Sequence, residues 1–277
     1  MSAPYSIVTF KKIVDAANHM GLFISPDGHR AVMYSQDVER LYSYTMSTPW
    51  DVTTLALEKS SAELWLHSDE GSDMHFTSDG MRLFLLSSND NRVSEYAMST
   101  AWDIATLSWV KDSAGDIGVV PSGLTFSPDG TKMYVVDYYN ANFFEYNLGT
   151  PWDVATKSLA YSVAMDIGVY SPRSLWLSPD GKRLFTVGMS EQKIVRCDLA
   201  TPFDLSSGVF VAEFSIKYDD FPPVYYPQTA ISFSPDESMM YLTGCHDSLG
   251  CFYIYECNSV APVSIWWTNF RGQSEIA

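Results

Sequence analysis

The chain has little cysteine, little positive charge and no long apolar run. Four cysteines, Cys197, Cys245, Cys251 and Cys257, are spread over 277 residues, which is no disulfide framework for a chain of this length. Cys245 and Cys251 flank one short loop and form the pair that could bridge under oxidising conditions; four reduced thiols are the expectation. The absence of any C-x-x-C spacing disfavours zinc ligation. No apolar stretch approaches the roughly 20 residues that cross a bilayer, so no membrane insertion is expected. The opening residues, Met1 to Lys12, hold no apolar run ahead of a small-residue cleavage site, so no secretory signal is expected either. Lys and Arg number 17 against 33 Asp and Glu, a net charge of -16. Neutralising phosphates requires Lys and Arg, so a nucleic-acid partner is excluded and an anionic membrane disfavoured. The acidity itself serves solubility.

What the chain does have is apolar and aromatic. Hydrophobic residues make up 46% of it and aromatics 14%, enough for a substantial core and a composition that suits strands. It also repeats. Ser-Pro-Asp-Gly begins at Ser25, Ser127 and Ser178, with variants Thr77-Ser78-Asp79-Gly80 and Ser234-Pro235-Asp236-Glu237. The aspartates at 27, 79, 129, 180 and 236 are separated by 52, 50, 51 and 56 residues. A second marker keeps the same period: Thr48-Pro49-Trp50-Asp51, Thr100-Ala101-Trp102-Asp103, Thr150-Pro151-Trp152-Asp153 and Thr201-Pro202-Phe203-Asp204. Two markers in phase define a repeated structural unit.

Each unit reads as four strands. Ahead of the first turn, apolar residues recur two apart: Leu22 and Ile24, Met74 and Phe76, Leu124 and Phe126, Leu175 and Leu177, Ile231 and Phe233. That spacing sets both on one face of a strand. The position between them varies freely, as Phe23, His75, Thr125, Trp176 and Ser232. In the turn, Pro presets φ, Asp bonds its own backbone and Gly accepts positive φ. A second and a third strand follow, then the Trp-Asp turn, then a fourth strand. The Trp is expected to pack over the sheet edge rather than bind a ligand, since a residue repeated in every unit is architecture.

A four-stranded sheet every 50 or so residues is a propeller blade. The expected fold is all-β, a single five-bladed β-propeller over residues 1–257. Its blades span about 21–70, 71–120, 121–170, 171–225, and 226–257 joined by 5–16. The last unit has three strands and no Trp-Asp turn, so the N-terminal strand is expected to supply its fourth and close the ring. Residues 258–277 remain as a C-terminal anchoring tail.

The Ser-Pro-Asp-Gly turn followed by Lys132-Met-Tyr-Val-Val136 resembles the YVTN and lactonase-like propeller repeats. The added Ser-Thr-Pro-Trp-Asp turn is similar to a subgroup found in tailed-phage structural proteins and bacterial surface proteins. The resemblance covers roughly residues 5–257 and implies architecture. It carries no catalytic residue, because its pattern consists of turn and core positions, and propellers host many functions.

Function is expected where the repeat stops repeating. Loops between second and third strands, and those joining one blade to the next, share one face and differ from blade to blade. Aromatics gather there: Trp65, Tyr138, Tyr139, Tyr170, Phe221, Tyr225 and Tyr226. Beside Asp and Asn they suit a glycan or a host receptor. His19, His67 and His246 could face Asp69, Asp166 and Asp247 on the same side, but at no diagnostic spacing, so neither a catalytic set nor a metal is expected. Asn89-Asp90-Asn91 falls short of a calcium loop. In the tail, Trp266, Trp267, Phe270 and Arg271 are expected to anchor the chain to other protein subunits, since terminal aromatics are costly unless docked. The expected function is therefore non-enzymatic and cofactor-free: a structural or binding propeller in a phage virion, as a decoration, tail or fibre-associated protein. The alternatives are a stand-alone, cytoplasmic carbohydrate- or protein-binding propeller and a lactonase-like hydrolase.

Overall fold

The structure is a computed structural model. It describes residues 5–14, 19–35, 38–64, 71–113, 115, 117–118, 120–164, 171–188, 193–215, 226–246 and 251–259. Within these, the strand positions 5–14, 19, 71, 212–215, 226–229, 244–246 and 251–259 are described by their backbone only.

The chain is an all-β propeller with four-stranded antiparallel blades. The first strand is β1 (Tyr5–Val14). One blade then holds β2 (His19–Ile24), β3 (Arg30–Ser35), β4 (Arg40–Met46) and β5 (Leu55–Ser60). The next holds β6 (Gly71–Phe76), β7 (Arg82–Ser87), β8 (Arg92–Met98) and β9 (Leu107–Asp112). A third holds β10 (Pro121–Phe126), β11 (Lys132–Asp137), β12 (Asn142–Leu148) and β13 (Lys157–Ala164). A fourth holds β14 (Pro172–Leu177), β15 (Arg183–Gly188), β16 (Lys193–Leu199) and β17 (Gly208–Ser215). Where the sequence predicts five blades, these four are the ones built from four consecutive strands. The remaining sheet, β18 (Tyr226–Phe233), β19 (Met239–His246) and β20 (Cys251–Ser259), takes β1 beside β20 and so draws on both ends of the chain.

Burial falls from the axis outward within each blade. The paired apolar positions of the first strands, Leu22 and Ile24 through Ile231 and Phe233, are all buried. The second strands are buried along nearly their whole length, as at Leu83, Phe84, Leu85 and Leu86, because both faces meet a neighbouring blade. The fourth strands β5, β9 and β13 are largely exposed. This gradient explains why the apolar runs Leu83–Leu86 and Met133–Val136 sit in the second strand, where alternation has no solvent face to serve.

The Pro-Asp-Gly turn is held by its own side chains. Ser25 Oγ donates to Asp27 Oδ1 at 2.6 Å, and the same bond recurs from Thr77, Ser127, Ser178 and Ser234. The backbone N–H two residues beyond each aspartate completes the turn, as His29 N to Asp27 Oδ1 at 3.0 Å. These hydroxyl bonds hold the carboxyls of Asp79, Asp129, Asp180 and Asp236 below the usual range.

The two repeated markers meet in space. A Cβ at Gly28, Gly80 or Gly130 would overlap the indole of Trp50, Trp102 or Trp152, and at Gly181 the ring of Phe203. The aromatic backbone N–H donates to the same glycine's carbonyl, as Trp152 N to Gly130 O at 2.8 Å. The glycines have φ of +68 to +72 and the four aromatics φ of 61 to 64. Positive φ is unfavourable for a bulky residue; here it aims the ring down onto the turn. The aspartate after each aromatic then caps a short 3-10 turn, as Asp153 Oδ1 accepts from Ala155 N at 3.1 Å. The rings therefore cover turn glycines, not the sheet edge expected from the sequence.

Blades join through the same residues. Tyr134 Oη donates to the Phe203 carbonyl at 2.6 Å, and Lys132 Nζ donates to it at 2.7 Å while also pairing Glu145 at 2.6 Å. Tyr241 Oη donates to the Trp50 carbonyl at 2.7 Å, which joins the last sheet to the first blade. Trp102 stacks on Phe23 of the preceding blade, with centroids 6.0 Å apart. Trp102 is half-buried, so Trp102→Ala is expected to lower unfolding stability by about 2–3 kcal/mol, the low end of aromatic truncations; chemical denaturation measures it, and a loss below about 1 kcal/mol would show that the ring does not hold the blades.

Candidate binding site: the axial cavity

The first strands stand side by side around the axis: β2 beside β6, β6 beside β10, β10 beside β14, β14 beside β18, and β18 beside β2. The residue preceding the paired apolar positions points to the narrowest part. It is Gly21, Asp73, Gly123, Ser174 and Ala230 in turn. Four are small; one is a carboxylate. At Gly123 a Cβ would come within 2.9 Å of the Ser174 backbone, so only glycine allows this approach. Asp73 fills the room that the small residues leave. Its Oδ1 accepts from Met74 N and its Oδ2 from Leu124 N, both at 2.9 Å, and Ser174 and the Leu175 N–H bond it as well. One carboxyl thus satisfies inward-facing N–H groups on three first strands, β6, β10 and β14. Ser72 and Ser122 hydroxyls reinforce the same seams by donating to the carbonyls of Pro121 and Pro172.

Burial pushes the Asp73 carboxyl up to about 7, against the lowering effect of these N–H donors. A tuned carboxyl is what a catalytic acid would show, but both oxygens are occupied in holding strands together.

Next to this plug, toward the turns, lies a cavity of about 370 Å³. Its walls are the freely varying position of each first strand: Phe23, His75, Thr125, Trp176 and Ser232. Exposed Pro26, Ser78, Pro128, Pro179 and Pro235 of the turns form its rim. The cavity therefore opens on the face of the Pro-Asp-Gly turns, opposite to the loop face favoured by the sequence. Trp50 and Trp152 also line it, so two of the turn aromatics contribute to a cavity wall.

His75 sits among rings. Its centroid is 5.1 Å from Phe126, 5.6 Å from Phe23 and 6.1 Å from Trp152. Burial holds its imidazole far below the usual range, at about 3. It is a neutral hydrogen-bonding group at any physiological pH. Trp176 packs on Phe233, 4.5 Å between centroids, and edge-on to Phe185.

The sequence-predicted loop site is described only in part. Tyr138 and Tyr139 lie together, edge to face at 5.1 Å, with Arg173 over the Tyr138 ring at 4.4 Å. Tyr139 is 70% exposed. Beneath them, the buried Asp137 accepts from Val120 N at 3.1 Å and Tyr139 N at 2.9 Å. Trp65, Tyr170, Phe221 and Tyr225 lie outside the described residues, as does the Tyr226 side chain; so do Trp266, Trp267, Phe270 and Arg271. His67, Asp69, Asp166 and Asp247, and the side chains of His19 and His246, also lie outside them. Among the described residues no group of three His, Cys, Asp or Glu could hold a metal ion. Asp90 of the acidic loop is paired with Arg92 at 2.8 Å. Cys197 is a buried free thiol. Among the described residues no helix is long and apolar enough to cross a membrane.

No protein-family profile and no curated protein matches the chain. Solved structures do match. A functionally unknown protein from Desulfotomaculum acetoxidans DSM 771 is 15% identical with a TM-score of 0.50, over 81% of this chain and 65% of that one. Hydrazine synthase from Kuenenia stuttgartiensis is 19% identical, TM-score 0.49, over 83% and 56%. A putative 6-phosphogluconolactonase from Bacteroides uniformis ATCC 8492 is 17% identical, TM-score 0.47, over 80% and 63%. The chain thus spans roughly half to two thirds of the length of these proteins. At such identities the likeness shows the propeller fold alone.

The Asp73 carboxyl gives a pH prediction. Its folded value lies above the ordinary carboxylate value, so the folded state binds the extra proton, and the stability this provides is lost as pH rises toward and through about 7. Wild type is expected to lose stability relative to Asp73→Asn between pH 5 and 8. Parallel pH-dependent thermal melts check this; identical slopes for the two proteins would show that Asp73 does not titrate there.

Proposed function

We propose that the chain is a non-enzymatic binding propeller whose recognition chamber is the axial cavity. One observation carries this reading. His75, Thr125, Trp176 and Ser232 line the cavity from four different first strands and bring hydrogen-bonding side chains to one space beside aromatic walls. A few hydrogen-bonding groups converging on an aromatic-walled space are the make-up of a small-molecule site. The chemistry available there favours binding over catalysis. A general base works best with a pKa near the operating pH. His75 is held far below it, and Asp73 is engaged by backbone donors. A library of small neutral ring compounds, screened by thermal shift, is expected to contain stabilisers whose effect disappears in the cavity-filling variant Ser232→Phe. Absence of stabilisers, or stabilisers indifferent to Ser232→Phe, would overturn the chamber.

A finer reading concerns architecture and setting. The ring has five blades, the last completed by the N-terminal strand; the pairing of Tyr5–Val14 with Cys251–Ser259 and the Tyr241–Trp50 hydrogen bond support it. The chain serves as a component of a phage virion, held to other subunits by residues 258–277 and presenting the Tyr138–Tyr139 face to a host receptor. Support comes from the similarity of the repeat to phage structural proteins and from the exposed Tyr139. Deleting residues 259–277 is expected to leave the propeller's thermal melt in place and abolish incorporation into particles. Normal incorporation would refute the anchor.

A further inference from the structure

The cavity's wall has a composition that selects among ligands. Around the axis the five wall residues run Phe23, His75, Thr125, Trp176 and Ser232. Phe23, His75 and Trp176 are half-buried, with part of each ring open to the cavity. Hydroxyl-bearing Thr125 and Ser232 separate Trp176 from the other two aromatic walls on either side. An adjacent pair of rings, Phe23 and His75, and a single ring, Trp176, are therefore separated by hydroxyl groups at one level of the channel.

Charge narrows the choice first. No lysine or arginine lines the cavity, its acidic lining residue Asp73 has both oxygens taken up by backbone N–H donors, and the chain carries a net charge of -16. A phosphate or carboxylate would enter against this field with no cation to receive it. Hydrogen bonding narrows it further. An apolar ligand would leave the His75 ring nitrogens, the Trp176 indole N–H and two hydroxyls unpaired in a space it had just dried, which is costly. A quaternary ammonium could use the rings but would leave the same groups unpaired. Size sets the last limit. A cavity of about 370 Å³ is at the small end of ligand pockets, so it admits one or two rings and not an extended chain.

We propose that the axial cavity binds the terminal unit of a neutral glycan, stacking the C–H face of a pyranose ring on Trp176 or Phe23 and pairing its hydroxyls with His75, Thr125, Ser232 and the Trp176 N–H. This rests on the reading of the cavity as a binding chamber. It places carbohydrate recognition on the turn face, through a pocket built from five first strands, instead of on the variable loops. The neutral imidazole is central to it. A charged His75 would turn both ring nitrogens into donors, whereas the neutral ring offers one donor and one acceptor, matching a sugar hydroxyl that does both.

The test uses the full chain and four classes of probe: methyl glycosides of neutral hexoses and of N-acetylhexosamine, glucose 6-phosphate, choline, and adenine. Saturation-transfer NMR and tryptophan fluorescence titration report binding. At least one neutral methyl glycoside is expected to bind, and glucose 6-phosphate is expected to bind at least about tenfold more weakly than methyl glucoside. Trp176→Ala is expected to weaken the glycoside by about tenfold or more. Thr125→Val, which keeps shape and removes one hydroxyl, should weaken it several-fold while leaving the thermal melt near wild type, so a folding defect in Trp176→Ala does not decide the matter. Silence of every neutral glycoside, with choline, adenine or a library compound bound and lost in Ser232→Phe, would overturn the sugar assignment and leave the chamber standing. Silence of all probes and of the library would remove both. Glycoside binding unaffected by Trp176→Ala and Thr125→Val would place the sugar elsewhere and also overturn the proposal.

Discussion

The seating of an aromatic ring on a turn glycine is the contact on which the rest of the propeller depends. In four blades the ring of the second marker lies directly on the glycine of the first. That one contact fixes the turn between strands one and two against the turn between strands three and four, so each blade has a defined twist at its turn face. The aromatic residue accepts a left-handed backbone to reach the glycine, and its carbonyl, presented by that backbone, receives the tyrosine hydroxyl of the neighbouring blade at Phe203 and at Trp50. Packing within a blade and hydrogen bonding between blades are therefore consequences of a single local geometry. Local strain that is over-determined by its surroundings is tolerable, and often serves a purpose; here it orients the carbonyl.

At the axis the repeat gives way to asymmetry. Five similar strands converging on a line cannot all carry a large side chain, and four of the five positions are Gly, Ser or Ala. The fifth is Asp73, whose carboxyl bridges N–H groups of three strands. Inner strands have an unpaired edge facing the axis, and buried backbone N–H groups need partners. One acidic side chain meets part of that need and closes the channel. The cavity is what remains on one side of the plug, and its walls are the positions that neither the blade core nor the turn constrains.

Much of this was legible from residues. The turn chemistry of Ser25-Pro26-Asp27-Gly28 and its variants, the paired apolar positions of the first strands and the four-stranded unit all follow from local rules, and the side-chain bonds of the turns match them. The site was not legible in the same way. Free variation at Phe23, His75, Thr125, Trp176 and Ser232 was visible, but a residue flanked by core positions in a strand reads as either a solvent face or a second buried face. Which of the two applies depends on what lies across the axis. Reasoning from loop variability pointed instead to Tyr138 and Tyr139, which do lie together, on the opposite side from the cavity. The seat of the turn aromatics is likewise not local: nothing in Thr-Pro-Trp-Asp alone says which turn, in the same blade, the ring will reach.

The sequence by itself therefore determined the architecture: all-β, built of repeated four-stranded units, with the turn residues and strand cores assigned. Those properties depend on interactions between residues close in the chain, and their period is written into the letters. Only the tertiary structure decided where an aromatic-walled space without a cation would form, that Asp73 would plug it, and that His75 would stay neutral within it. Each of these arises from residues about 50 positions apart brought within a few ångströms by the packing of one blade on the next, and no local pattern encodes the burial that such packing imposes.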